Sequence, residues 1–551
     1  MAAHIKTGSM ESPNYYKSKS INHLGLVAGM CDELELSKVI DQVIQQDRQK
    51  RTVSIGQAVK AMILNGLGFA NHTLYLSPLF FQDKPVERLL GPDIQAEHLN
   101  DDMLGRALDE IYDYGPSKLF SQCAIQTVNR LGLQTRYGHF DSTSFHTDGK
   151  YNSDQEEQDG VIRITNGYSR DHRPDLNQLV LQLICERQAG IPLLMETLSG
   201  NKSDKDSFRE TVKAHIGRLK TDFGLEYIVA DSALYVAETL KEMSNIWWIS
   251  RVPETLNLAG DIVDAVASDL MIQPEQAAFC SLGAVYGDVR QRWVVVYSPE
   301  ANKRARKTVD KQSAKSSASE LKEFESLCRQ DFACEEDARK AAVKFEKNLK
   351  ATSLSDVQIT RTSHFNGKGR PVQGREPDFY TYNVDGAIAS QLQYRNKMLQ
   401  RKSCFILATN QLDCAELPPE ELMTAYKNDQ QKVERGFRFL KDPMFMASTL
   451  FLKSPERIMA LMMVMTLCLL VYAALELRIR EALRTNSATF VDQKGRSTAN
   501  PTARWVFQFF AGIHVLIVER MGELMLNLNE LHLNLLAILG ERYQQLYSGD
   551  G

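Results

Sequence analysis

The stretch Arg136–His146, RYGHFDSTSFH, decides how this chain of 551 residues folds and what it does. It reads as a short β segment that presents a carboxylate, Asp141. In an open α/β sheet, ligands bind where strands end and loops open to substrate. Two later acids fit the same site. Asp231 closes the apolar run Tyr227-Ile228-Val229-Ala230, and Glu434 lies inside YKNDQQKVERGFRFLK, Tyr426–Lys441. Two strand carboxylates and one helix carboxylate make an oxygen-only cage suited to Mg²⁺, which prefers hard oxygen ligands and keeps part of its water shell. Two carboxylates held that close repel each other, and a divalent cation between them resolves the conflict. The implied chemistry is metal-dependent reaction at a phosphodiester.

Outward from this stretch the pattern is that of a sheet. Leu179–Glu186 (LVLQLICE) and Ile191–Ser199 (IPLLMETLS) read as strands joined by the tight turn Arg187-Gln188-Ala189-Gly190. Asp204–Phe223 is a helical crossover, after which Glu226–Asp231 returns as a strand parallel to the first. Its apolar residues on both faces indicate a central strand covered by helices. Ala233–Met243 is a further helix and Ile246–Val252 a further strand, giving the order β-β-β-α-β-α-β.

These stretches, in this order, resemble the catalytic triad of DDE transposases from bacterial insertion sequences, which have an RNase-H-like core. Glu434 with Lys441 seven residues on resembles the glutamate-helix signature of the subgroup with a large insertion before its glutamate. That signature runs tyrosine, two residues, arginine, three residues, glutamate, six residues, lysine. Here Tyr426 lies eight rather than seven residues before Glu434, and Gln430 stands where arginine is expected. The resemblance spans roughly Gln134 to Arg480. It implies that Asp141, Asp231 and Glu434 hold two Mg²⁺ ions, with Mn²⁺ as a substitute, for cleavage at element ends and strand transfer into target DNA. It also implies DNA as partner and a homodimer in the DNA complex. Two other readings stay open: an RNase-H-like nuclease without strand transfer, and a catalytically inactive DNA-binding descendant of a transposase.

Helical geometry supports a shared groove. At about 100° per residue, Tyr426, Gln430, Glu434 and Lys441 fall within an arc of roughly 80°, beside an apolar arc of Leu422, Val433, Phe437 and Leu440. Lys441 is placed to hold a DNA phosphate as a point charge, and Arg438 either does likewise or pairs with Glu434. Glu420 and Glu421 lie about 20 Å earlier along the helix, too far to share ions with the aspartates, so Glu421→Gln is expected to be close to silent.

Composition narrows the class. With 43% apolar and 24% charged residues the chain is an ordinary globular protein, and a net charge of −4 excludes a broadly basic nucleic-acid coat. DNA contact must come from local patches. Such patches are Lys303, Arg304, Arg306 and Lys307, and Arg361, His364, Lys368, Arg370 and Arg375. Nine cysteines without C-x-x-C spacing point to reduced thiols in the cytoplasm rather than to disulfides or zinc. The N-terminus has no secretory signal. Ile458–Leu475 is long and apolar enough to span a bilayer, but charged flanks that continue its helical pattern favour a buried core helix and no membrane. A bacterial, cytoplasmic, nucleoid-associated protein is expected.

The expected fold is an α/β RNase-H-like catalytic core with an all-α N-terminal region, a mixed α/β insertion and a helical C-terminal region. Residues 1–19 are expected to be disordered. Residues 20–133 form a helical domain for DNA-end binding or scaffolding, with Ser54 capping one helix. The core occupies 134–252 and 416–483, interrupted by an insertion at 253–415 that contains a helix pair within Asn302–Lys350. Residues 484–551 form a C-terminal helical region whose Leu-rich tail suits packing or self-association.

Overall fold

The computed structural model describes residues 16–46, 51–69, 74–147, 151, 160–168, 173–367, 374–442, 452–518 and 522–549. The segment Asp148–Asp159 therefore lies almost wholly outside the described residues, as do Lys368, Arg370 and most of the expected disordered N-terminus. Two compact units emerge. One comprises residues 1–250, 287–289 and 420–551, the other 251–286 and 290–419.

The first unit is built on five strands in the order Pro192–Ser199, Asn177–Glu186, Tyr137–Thr147, Tyr227–Ala230, Trp247–Arg251. The first three pair antiparallel, and the last two add in parallel. The parallel additions require crossovers, supplied by helices Asp204–Phe223 and Ala237–Glu242. Tyr227–Ala230 is buried at every position, as expected of a strand covered on both faces. The hairpin after Glu186 has a specific cause. The buried Glu186 carboxylate accepts the N–H groups of Gln188, Ala189 (2.6 Å) and Ile191 (3.0 Å), while Gly190 takes φ +78°. Three backbone donors compensate a charge that burial would otherwise penalise.

The apolar stretch at Ile458–Leu475 lies within Pro455–Thr485, a helix whose most apolar window is 83% buried. Around it pack helices Leu24–Glu33, Ile55–Leu67, Asp101–Tyr114 and Pro116–Leu131, and the strand Pro192–Ser199. An all-round apolar helix is thereby satisfied by protein on its several sides. Ser54 caps Ile55–Leu67 through a capping box with Gln57, its Oγ accepting the Gln57 N–H at 3.1 Å. Truncating a fully buried side chain of the central helix, as in Leu470→Ala, is expected to cost about 2–5 kcal/mol. Chemical denaturation should show this as a lower midpoint with an unchanged slope.

Two expectations are corrected here. Residues 16–19 are not disordered: Tyr16–Ser20 is a strand antiparallel to His514–Val518, which in turn pairs with Gly522–Leu526. The C-terminal region is accordingly not all helical. It carries that sheet and the small pairing Phe490–Val491 with Ser497–Thr498, besides helices Ala503–Phe509, Glu530–Leu539 and Glu541–Leu546.

In the second unit, Cys404–Thr409 pairs antiparallel with Val289–Tyr297, which neighbours Ala278–Tyr286. Helices Pro299–Cys328 and Glu335–Asn348 form the expected pair. They close a small core of Phe324, Ala338, Ala342 and Val384 against a long ribbon, Thr352–His364 with Phe379–Ser390. The ribbon and helices Asn257–Leu270 and Leu392–Ser403 are additions to the sequence reading.

Candidate active site

Register brings the two aspartates together. Tyr137, Gly138 and His139 stand opposite Tyr227, Ile228 and Val229. The pairing ends at His139 and Val229, two residues before Asp141 on one strand and two before Asp231 on the other. Asp141 is half-buried and Asp231 exposed, just past the end of its strand. Both carboxylates also serve the local backbone. Asp141 Oδ1 accepts the Ser142 N–H and Asp231 Oδ1 the Ala233 N–H, each at 2.8 Å. Ser250 Oγ donates to the Asp231 carbonyl at 2.8 Å, tying the strand end to its neighbour.

Strand alternation then fixes the face. Phe140 packs edge-on against Phe208 of the crossover helix, with centroids 4.1 Å apart, so the even positions face that helix. The odd positions, Tyr137, Asp141 and Phe145 among them, face the other way. There Tyr137 Oη donates to Glu421 Oε1 at 2.6 Å, and Lys441 Nζ lies 5.8 Å from the Phe145 ring centroid. Asp141 is midway between these two contacts. The segment 421–441, with Glu434 in it, thus lies over the face that carries Asp141.

That segment is not one continuous α-helix. Pro419–Thr424 leads into a π turn, Ala425–Asp429, and then into helix Gln430–Leu440. A π turn accommodates one residue more than an α turn. Tyr426 is the second residue of this turn, and it lies eight residues before Glu434 rather than the seven of the resembled signature. Tyr426 is half-buried there. The apolar arc docks as expected: Leu422, Val433, Phe437 and Leu440 are buried. Gly436 permits close approach to the central helix, since a Cβ there would meet Leu469 Cδ2 at 3.0 Å. Lys432 anchors the helix by donating to the carbonyls of Arg187 and, at 3.2 Å, Gln188.

Glu434 and Arg438 are exposed, and among the described residues neither forms an ion pair, so Arg438 is not engaged with the glutamate. Lys441 is half-buried. Among the described residues no three Asp, Glu, His or Cys side chains stand close enough together to hold an ion. The donor chemistry of the three acids, carboxylate oxygens without sulfur or imidazole, is of the kind that suits Mg²⁺.

The structure adds residues that sequence spacing did not single out. Glu421, assigned no role above, accepts from Tyr137 and Arg136 and faces Arg187. Its substitution is therefore not expected to be silent. Burial and the Glu421 carboxylate push the Tyr137 phenol well above its ordinary range, so it remains a donor. In the second unit, Lys303, Arg304, Arg306 and Lys307 are exposed at the start of Pro299–Cys328, with Arg306 Nε bonded to Asn302 Oδ1 at 2.8 Å. On the ribbon, Arg361 lies over the Tyr380 ring at 4.4 Å, and His364 stacks on Phe379 at 4.7 Å.

No curated protein matches this chain. Residues 16–125 match a domain of unknown function, DUF4277. Among solved structures, a piggyBac transposase synaptic complex with hairpin DNA aligns with a TM-score of 0.36 and 9% identity, covering 88% of this chain and 79% of that one. Residues 135–471 match the family described as Transposase DDE domain. The match begins one residue before Arg136, takes in both aspartates, the insertion and the glutamate helix, and ends inside the central helix. With more than half of its length so matched, the chain belongs to the DDE transposase family and is a DNA-cleaving transposase.

Proposed function

We propose that Asp141, Asp231 and Glu434 are the catalytic triad of this transposase, on a core of RNase-H-like type, and that it cuts element ends and joins them to target DNA. The observation that supports this reading is the parallel pairing of the Asp141 strand with the strand that leads to Asp231, together with the contacts of Tyr137 and Phe145, on either side of Asp141, with Glu421 and Lys441. The central antiparallel hairpin with two parallel strands added beyond Asp141 supports the fold assignment.

Two bound Mg²⁺ ions, for which Mn²⁺ substitutes, would supply nucleophile activation and neutralise charge on the leaving oxygen. The chain's own residues do the rest. The three carboxylates hold that charge in place, each from a rigid element. Lys441 steadies a neighbouring phosphate as a point charge, with Tyr426 of the π turn and the exposed Arg438 along the same segment. In the cut, a water oxygen attacks phosphorus, the new P–O bond forms in line with the breaking P–O3′ bond, and the 3′-oxygen leaves as a hydroxyl. In joining, that 3′-hydroxyl attacks a target phosphodiester, and the bond to the target 3′-oxygen breaks. Only the attacking hydroxyl differs, and no residue becomes covalently attached to DNA.

Exposed Leu524, Leu526, Leu531 and Leu533 support a homodimer in the DNA complex. DNA affinity rests on local patches. Neutralising Lys303, Arg304, Arg306 and Lys307 together is expected to weaken binding across sequences and to lower the slope of log affinity against log salt by up to about 3–4, which fluorescence anisotropy at several salt concentrations measures.

The reading as a whole is tested by incubating the protein with DNA carrying its own element ends, with and without Mg²⁺. Nicked ends and joined products, both metal-dependent, are expected. Nicks without joined products would identify a nuclease, and binding without nicks would identify an inactive descendant.

A further inference from the structure

Glu421 holds the start of the strand that carries Asp141 and, through the Tyr137 ring, reaches the strand that leads to Asp231. Tyr137 and Arg136, at the start of the Asp141 strand, reach Glu421 Oε1 at 2.6 and 3.4 Å. Arg187 Nη1, from the adjoining hairpin, stands 3.8 Å from the same oxygen. The Tyr137 ring stacks on Tyr227, with centroids 4.9 Å apart, at the start of the strand that leads to Asp231. The Arg187 and Arg136 guanidinium groups lie 5.0 and 5.5 Å from the Tyr137 ring centroid. Arg136 is also paired with Glu226 at 2.7 Å, so Glu421 accepts from a buried phenol and faces Arg187 beside a cation that a second carboxylate already serves.

The place of this cluster along the chain gives it consequence. Glu421 comes just before the π turn Ala425–Asp429, and Lys432, just after it, is bonded to the carbonyls of Arg187 and Gln188. The turn is therefore bracketed by two anchors that meet the same hairpin. A π turn is rare and less favourable than α geometry. Relaxation to α-helix would shift the chain by one residue and turn the glutamate by about 100° relative to Glu421.

We infer that Glu421 is a positioning residue, which pins the start of the glutamate helix to the Asp141 and Asp231 strands and holds the π turn, so that Glu434 is delivered to the aspartates. This rests on the reading of Glu434 as a member of the metal-holding triad.

The test uses the full chain, with Mn²⁺ as probe in titration calorimetry and amide hydrogen exchange across residues 425–440. Glu434→Gln and Glu421→Gln are each expected to weaken Mn²⁺ binding about 10-fold or more. Only Glu421→Gln should also speed exchange through the π turn and the helix after it, with global melting close to the parent. Tyr137→Phe, which keeps both ion pairs, should move affinity and exchange in the same direction by less, and decides the matter if Glu421→Gln does not fold. Parent-like affinity and exchange in Glu421→Gln, beside weakened Glu434→Gln, would overturn the positioning role alone. Parent-like affinity in Glu434→Gln would overturn the triad and the positioning role with it.

Discussion

Glu434→Gln is expected to slow DNA nicking and strand transfer by about 10³-fold or more while leaving folding and end binding intact. Glutamine keeps the size and hydrogen-bonding shape of the side chain but removes its negative charge. Lewis-acid stabilisation by a bound ion is worth several kcal/mol of the barrier, and each 1.4 kcal/mol is a factor of ten. The side chain is exposed, so the fold does not depend on it. The apolar residues that dock the helix, Val433, Phe437 and Leu440, are untouched. Single-turnover nicking of end-bound DNA, beside a binding isotherm, separates the two effects. Near-parental nicking with normal binding would remove Glu434 from the triad.

Asp141→Asn should produce a loss of the same order, because Asp141 sits between the contacts that Tyr137 and Phe145 make with the glutamate segment. The double variant Asp141→Asn/Glu434→Gln is expected to be little worse than either single one, since residues acting as one unit are strongly non-additive. Full multiplication of the two losses in the same single-turnover assay would mean that the two acids act separately. The asparagine retains an oxygen that can accept the Ser142 N–H, so the local backbone contact persists.

The core was legible in the sequence because buried strands leave a plain signature. Tyr227–Ala230 is a continuous apolar run and Leu179–Cys185 is one broken only at Gln182, and the order of strands and crossover helices followed from them. The ribbon Thr352–His364 with Phe379–Ser390 left no such trace. Most of its residues are exposed on both faces, so neither apolar runs nor clean alternation mark it. Tyr16–Ser20, YKSKS, was hidden for the same reason, and it finds its partner almost 500 residues later in His514–Val518. That partner is a short apolar segment beside Leu-rich helices, and periodicity alone does not separate strand from helix at such length.

Order and context in the sequence single out the three acids proposed as the triad, whereas the cluster around Glu421 has no such signal. Glu421 lies 284 residues from Tyr137 and 285 from Arg136, so no local spacing announces their contact. On an ideal α-helix it also stands nearly four turns from Glu434, which is why it read as inert. The π turn was foreshadowed only by the one extra residue between Tyr426 and Glu434.

The central claim, that Asp141, Asp231 and Glu434 together hold the cation at which DNA is cut, is tested most directly by changing what Asp231 offers to metal. Cysteine at this exposed strand end replaces a hard oxygen ligand by a soft thiolate, which discriminates against Mg²⁺ and tolerates more thiophilic ions. The measurement is the nicking rate of Asp231→Cys on end-bound DNA, in Mg²⁺ and then in Mn²⁺. The expected result is almost no nicking in Mg²⁺ and clear recovery in Mn²⁺, with the parent protein active in both. Nicking by Asp231→Cys in Mg²⁺ at the parental rate would contradict the claim.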